Sequence, residues 1–221
     1  MNIRMCKIEF ETDIEIKKED LKKIRGYLGN TFREKTLLHN HNENGVVYSY
    51  PLIQYKFIDS KFSIIGINDG VDTLMSIVSK INVFELDYKS VKVIKKNIEV
   101  WEDEVKVGKS FKIYRFKTPY FALNQKNFKS YKELKTLEEK KSFLDRIMVG
   151  NILSFLKGIG IWCEDKISVD LFLDNVKLLE FKNQKVLGIR GEFASNISLP
   201  KYIGLGKSTA LGNGVITRNG K

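Results

Sequence analysis

Apolar residues in the first hundred positions follow two rhythms in turn, and their order leaves few folds open. Ile3, Met5, Ile8 and Phe10 suit a strand over residues 2–10, although the alternation slips at Cys6 and Lys7. Leu21, Ile24, Leu28 and Phe32 then recur at three and four residues, which predicts a helix with one apolar stripe. Its opposite side carries Lys22, Lys23 and Arg33. Residues 50–58 and 62–67 read as strands joined tightly through Asp59-Ser60-Lys61. Pro51 has no amide to donate, so it belongs at a strand start or edge. Val71, Leu74, Met75 and Val78 mark a second helix, and strand-like runs follow at 83–93 and 98–105. Strand–helix–strand–strand–helix–strand is the split βαβ order of a ferredoxin-like, or RRM-like, domain.

A second round follows. Phe111, Ile113 and Phe116 predict a strand, and residues 131–157 one long helix that buries Leu137, Leu144, Ile147, Met148, Ile152, Phe155 and Leu156. Gly158-x-Gly160 ends it. Strands are expected at 169–173, 176–181 and 186–193. Where a second helix would complete the pattern, the chain offers a glycine-rich segment and then a short strand at 214–217. The fold class is therefore α+β, with two tandem ferredoxin-like domains and a boundary near 106–110. Residues 1–108 would form an N-terminal domain with a histidine loop. Residues 109–221 would form a C-terminal domain with the glycine-rich loop.

Charge narrows the partners. Thirty-eight Lys plus Arg against 27 Asp plus Glu leave a net +11 over 221 residues. Such a field gathers polyanions, and phosphate contacts release counterions. Cys6 and Cys163 have no spacing suited to a disulfide ladder or a zinc site. No stretch approaches the roughly 18 consecutive apolar residues of a membrane span, and the first ten residues lack a signal-peptide core. A cytoplasmic protein that makes no membrane contact is expected. The bases at Lys126, Lys129, Lys132, Lys135, Lys140, Lys141 and Arg146 are tempered by Glu133, Glu138, Glu139 and Asp145, and read as a solvated helix face.

The only two histidines, His39 and His41, stand within the polar run Leu38-His39-Asn40-His41-Asn42. An imidazole with a reference pKa of about 6.5 exchanges protons near neutrality. RNA supplies its own nucleophile in the 2′-hydroxyl, and a histidine can take that proton or give one to the departing 5′-oxygen. Two histidines without a nearby cysteine fall short of the roughly four ligands of a zinc site, so no metal and no cofactor is expected. Both histidines also fit a plain surface loop, and the residues alone do not decide. Tyr48 could hold the scissile phosphate or stack on a base, and Arg33 and Lys35 lie close enough in sequence to reach phosphate.

Gly204-Leu205-Gly206-Lys207-Ser208-Thr209-Ala210-Leu211-Gly212-Asn213-Gly214 holds two Gly-x-Gly pairs. Gly206-Lys207-Ser208 imitates the end of a phosphate-binding P-loop, but the position that needs its first glycine is Lys201. The third glycine of a dinucleotide fingerprint is replaced by Thr209. Residues 197–221 contain no acid, which favours an RNA-contacting loop over a nucleotide pocket. Lys35, Lys201, Gly204, Gly206, Lys207, Ser208, Gly212 and Gly214 are the expected RNA-binding residues, in one site with the histidines.

These elements resemble a known family. Gly204-x-Gly206-x5-Gly212-x-Gly214, the run Ile24-Arg25-Gly26-Tyr27-Leu28-Gly29 followed by Leu38-His39-Asn40-His41, and Tyr48-Ser49-Tyr50-Pro51-Leu52-Ile53-Gln54-Tyr55-Lys56 are similar to the CRISPR-associated repeat-specific endoribonucleases. The resemblance implies a metal-independent cut within precursor CRISPR RNA repeats that leaves a 2′,3′-cyclic phosphate and a 5′-hydroxyl. It implies His41 as the catalytic histidine, His39 as partner or substitute, and Tyr48 as an assisting residue. For the lysine that some members use, Lys35 and Lys56 are the candidates. The implied partners are CRISPR repeat RNA and effector-complex proteins, with a homodimer left open. A non-catalytic RNA-binding or effector-complex subunit is the alternative, since some members are inactive binders.

Overall fold

The computed structural model describes residues 1–39, 41–42, 45–46, 49–172, 175–181 and 184–218. The chain divides into two compact units, Asn2–Asp103 and Glu104–Lys221, the latter joined by Met1. Among the described residues no helix is long and apolar enough to cross a membrane.

The first unit begins with strand β1 (Asn2–Thr12) and helix α1 (Asp20–Thr31). The two-residue strands β2 (His41–Asn42) and β3 (Gly45–Val46) follow, then β4 (Ile53–Ile58), β5 (Lys61–Ile67) and helix α2 (Asp69–Ile77). Strands β6 (Val83–Leu86) and β7 (Lys89–Glu104) close the unit. The sheet order β4-β5-β1-β7-β6 is the ferredoxin-like order with one strand added at the β7 edge. Alternation slips at Cys6 because both faces of central β1 are covered: Met5, Cys6 and Ile8 are all buried. A Cβ on the facing Gly66 would lie 2.8 Å from Cys6 Sγ, so glycine makes room for the thiol. Burial there pushes the Cys6 thiol up to about 11.

α1 buries Leu21, Ile24 and Leu28, the stripe the spacing predicts. Asp20, its first residue, is also buried. Burial alone would raise this carboxyl, but the Lys17 amide, the Tyr88 hydroxyl and the Lys89 ammonium donate to it and hold it below the usual range. In α2 the buried stripe is Val71, Leu74 and Ile77, so Met75 and Val78 are only half-buried and the expected phase was off by part of a turn. Asp59 and Ser60 both have positive φ between paired Ile58 and Lys61, the requirement of a tight type I′ hairpin. The run at 83–93 is not one strand. It turns at Asp87-Tyr88 into β7, which continues without a break to Glu104 and absorbs the strand expected at 98–105.

The second unit contains β8 (Lys106–Phe116), β9 (Tyr120–Phe121), α3 (Gln125–Glu133), α4 (Leu137–Gly158), β10 (Val169–Leu171), β11 (Asn175–Phe181), β12 (Gln184–Arg190), β13 (Glu192–Ser198) and β14 (Ile216–Arg218). The order β10-β13-β8-β14 repeats the ferredoxin-like pattern, while β11, β12 and β9 form a separate three-stranded sheet. The single helix expected at 131–157 is two. Thr136 caps α4 in a reciprocal box: its hydroxyl accepts from the Glu139 amide, and the Glu139 carboxylate accepts from the Thr136 amide. The strand expected at 186–193 also divides, at Gly191, where φ is +136°. Tyr114, Phe116, Tyr120 and Phe193 stack at the centre, with ring centroids 4.9–5.2 Å apart.

Candidate active site and glycine-rich segment

The first candidate site grows from the end of α1. After Phe32 the backbone tightens into a single 3-10 turn, Thr36–Leu38, whose last apolar residue is buried. Two side chains reach across from other elements to fix it. Tyr55 of β4 donates its hydroxyl to the Leu38 carbonyl at 3.2 Å, and Arg25 of α1 donates Nη2 to the His39 carbonyl at 2.6 Å. Burial holds the Arg25 guanidinium below its ordinary value and pushes the Tyr55 phenol above its own. His39 is half-buried, and its imidazole lies against α1 where Gly29 has no side chain; a Cβ there would come within 2.6 Å of His39 Cδ2. The backbone then forms a minimal ladder, His41 opposite Val46 and Asn42 opposite Gly45. The His41 side chain and Tyr48 lie outside the described residues.

Lys35 is half-buried on the approach to the turn. Lys56 is fully buried. Successive strand residues face opposite sides of a sheet, so Lys56 lies on the face away from Tyr55 and the Leu38 turn. Its Nζ donates to Gln54 Oε1 at 2.6 Å, and Gln54 Nε2 donates to the Tyr50 hydroxyl at 2.9 Å and to the Pro51 carbonyl at 3.0 Å. Burial lowers the Lys56 ammonium to about 7. Arg25, Gly29 and Tyr55, which hold the histidine segment, were not among the expected site residues. Arg25 and Gly29 stand in the run that carries the family resemblance, and nothing in the local pattern assigns them this work.

The glycine-rich segment occupies the place of the second helix in the second unit. Its amides turn inward. Lys207 N donates to the Phe121 carbonyl at 3.0 Å, Gly214 N to the Pro119 carbonyl at 2.9 Å, and Leu205 N to the Gly214 carbonyl at 2.9 Å. Gly214 has φ +64°, and a Cβ on it would overlap the Leu205 carbonyl oxygen. Gly206 has φ +86° and would carry a Cβ 2.6 Å from both the Phe121 carbonyl oxygen and the Tyr120 ring. Gly204, Gly212 and Gly214 are buried, and Gly206 and Ser208 half-buried. Lys201 and Lys207 are exposed. The glycines thus close the backbone onto its own unit, and lysine side chains are what the segment presents to solvent.

The model of the Cas6b N-terminal domain matches residues 1–104, and that of the Cas6b C-terminal domain matches residues 106–219. The chain belongs to the Cas6b family. A crystal structure of a Cas6b superimposes with a TM-score of 0.86 and 33% identity, covering 99% of this chain and 100% of that one. A second, described as a CRISPR RNA processing endoribonuclease Cas6b, has a TM-score of 0.75 and 31% identity at the same coverage. The uncharacterized protein MJ0978 of Methanocaldococcus jannaschii is 34% identical over 140 residues, 62% of this chain and 95% of its own. The double ferredoxin-like fold is that of the Cas6b structures. The histidine segment falls in the span matched by the Cas6b N-terminal domain, and the glycine-rich segment in that of the C-terminal domain.

Proposed function

We propose that this chain is an endoribonuclease that cuts precursor CRISPR RNA within its repeats without a metal ion. The reading is carried by the pinned histidine segment on a Cas6b framework: Arg25 and Tyr55 fix the backbone at Leu38 and His39, so the His39 imidazole leaves from a braced turn rather than a free loop. Pre-positioning of this kind is what proton transfer to a reacting group requires. One imidazole, assigned to His41, takes the proton from the 2′-hydroxyl. The 2′-oxygen then attacks the adjacent phosphorus, and the bond to the 5′-oxygen breaks. A proton returned by His39 leaves that oxygen as a hydroxyl, and the phosphate remains as a 2′,3′-cyclic diester. Tyr48 orients the phosphate. Lys201, Lys207 and Ser208 hold the RNA backbone, on a platform whose shape the four glycines set.

The test is incubation of the protein with its cognate repeat RNA in excess chelator, with product ends read at nucleotide resolution. Cyclic-phosphate and 5′-hydroxyl ends are expected from the parent. His41→Ala should lower the cleavage rate about 100-fold or more while keeping most of the affinity. Parent protein that binds the repeat and leaves it whole identifies a non-catalytic binder. Normal turnover by the variant removes His41 from the mechanism.

A further inference from the structure

Helix α3 has nine residues, Gln125–Glu133, and buries none of them. A helix this short does not hold itself in water, so a few local contacts keep it. The Asn124 side chain accepts from the Asn127 amide at 2.7 Å, and the Tyr131 ring lies 6.4 Å from the Phe143 ring of α4. What the helix presents is charge. Lys126, Lys129 and Lys132 recur at three residues, one about every 4.5 Å along the axis, and all three are exposed. Lys135 in the connection, and Lys140 and Arg146 on α4, extend the run. Three of these cations lie over rings. Lys132 Nζ is 4.9 Å from the centre of Phe128, Lys140 Nζ 5.7 Å from that of Tyr131, and Arg146 Cζ 5.9 Å from that of Phe143. The Lys140 contact reaches back to α3, so the two helices share one surface.

An aromatic face attracts a cation without cancelling its charge, whereas a carboxylate cancels it. Exposed bases elsewhere in the chain do take carboxylates, as Lys61 takes Glu9 and Arg115 takes Glu192. Among the described residues none of the six cations on this surface forms an ion pair. Of the four acids in the same stretch, two are engaged. Glu139 accepts from the Lys135 and Thr136 amides, and Asp145 from the Leu171 amide and from Lys141, which also reaches Asp170. Glu133 and Glu138 remain, so positive charge dominates. Lysine is strongly hydrated and depleted in protein interfaces, while phosphate contacts gain from counterion release. A regular row of uncancelled ammonium groups therefore suits a regular polyanion better than an acidic protein. We infer that α3 and the start of α4 grip the phosphate backbone of RNA without reading its sequence, the rings ordering three of the cations. The inference rests on the endoribonuclease reading for RNA as the polyanion.

The test combines Lys126→Gln, Lys129→Gln and Lys132→Gln in one variant. A matched control combines Lys80→Gln, Lys92→Gln and Lys109→Gln, at exposed lysines outside α3 and α4. Both triples remove the same charge, so the general field changes equally. One probe is a single-repeat precursor RNA with flanking nucleotides and a 2′-deoxynucleotide at the cleavage position, which can bind but not react. The other is an unrelated RNA of equal length. Binding is titrated at several salt concentrations, and denaturant midpoints, expected to match the parent, report folding. The α3 triple should bind both RNAs about tenfold more weakly at about 0.1 M salt. Its slope of log affinity against log salt should fall by about two, from three contacts at roughly 0.7 each. The control should stay within about twofold of the parent. Phe128→Leu, which keeps every charge, should weaken binding about threefold; full affinity there removes the rings from the account. An equal loss in the control overturns the site. Parent-like affinity and slope in the α3 triple overturn it too, and leave an acidic protein as the partner of this surface. A parent that binds both RNAs and never cuts the ordinary repeat overturns the nuclease reading alone. A parent that binds neither overturns both.

Discussion

Lys56 illustrates what a single residue can reveal that the strand pattern hides. Its neighbours Tyr55 and Phe57 look like ordinary strand content, yet the ammonium between them is fully buried and donates to Gln54. Burial brings it to about 7, against an ordinary lysine value of about 10.4 in the unfolded chain. Between those two values the unfolded chain holds a proton that the folded chain has released. Folding is therefore disfavoured progressively as pH falls from about 10 towards 7, and the effect is flat below that. Lys56→Met should remove this slope. Chemical denaturation of parent and variant at about pH 7 and about pH 9.5 should show the variant's relative advantage shrinking as pH rises. An unchanged difference at the two values would mean that Lys56 stays charged inside the fold.

Elements were legible where local chemistry and burial agree. The α1 stripe and the Asp59-Ser60 turn follow from spacing and short turn residues, and the structure places both as expected. The missed breaks have physical reasons. Asp87-Tyr88 turns the chain without a glycine, proline or asparagine, and the bonds of Tyr88 and Lys89 to buried Asp20, 68 and 69 residues away, are invisible to any local window. The break before α4 did have a signal, Thr136-x-x-Glu139, which the continuous apolar spacing on either side masked. The backbone is already extended at Leu134, and the box starts α4 afresh from Thr136. Thr136→Ala should cost about 1 kcal/mol in denaturant unfolding. A loss within about 0.2 kcal/mol would show the cap to be incidental.

For the molecule as a whole, the net charge of +11 speaks for a polyanionic partner without saying where it binds. The exposed Lys207 makes that local. Lys207→Ala should weaken RNA binding and lower the slope of log affinity against log salt by about one, read from filter titrations at several salt concentrations. An unchanged slope would place the phosphate contact elsewhere. The candidate site was half legible on this scale. Two histidines in a polar run stand out by rarity, whereas Arg25 and Tyr55 reach their carbonyls across 14 and 17 residues and emerge only once helix and sheet are assembled.

The inward-facing glycine-rich segment changes how a mutational survey of this protein should be interpreted. Gly206 and Gly214 sit where any side chain collides with a neighbouring carbonyl, so replacing them damages the scaffold before a nucleic acid is ever encountered. A screen scored only on surviving activity would rank these positions with the histidines and invite the same explanation for both. Solubility and yield, measured alongside, separate the defective scaffold from the defective catalyst.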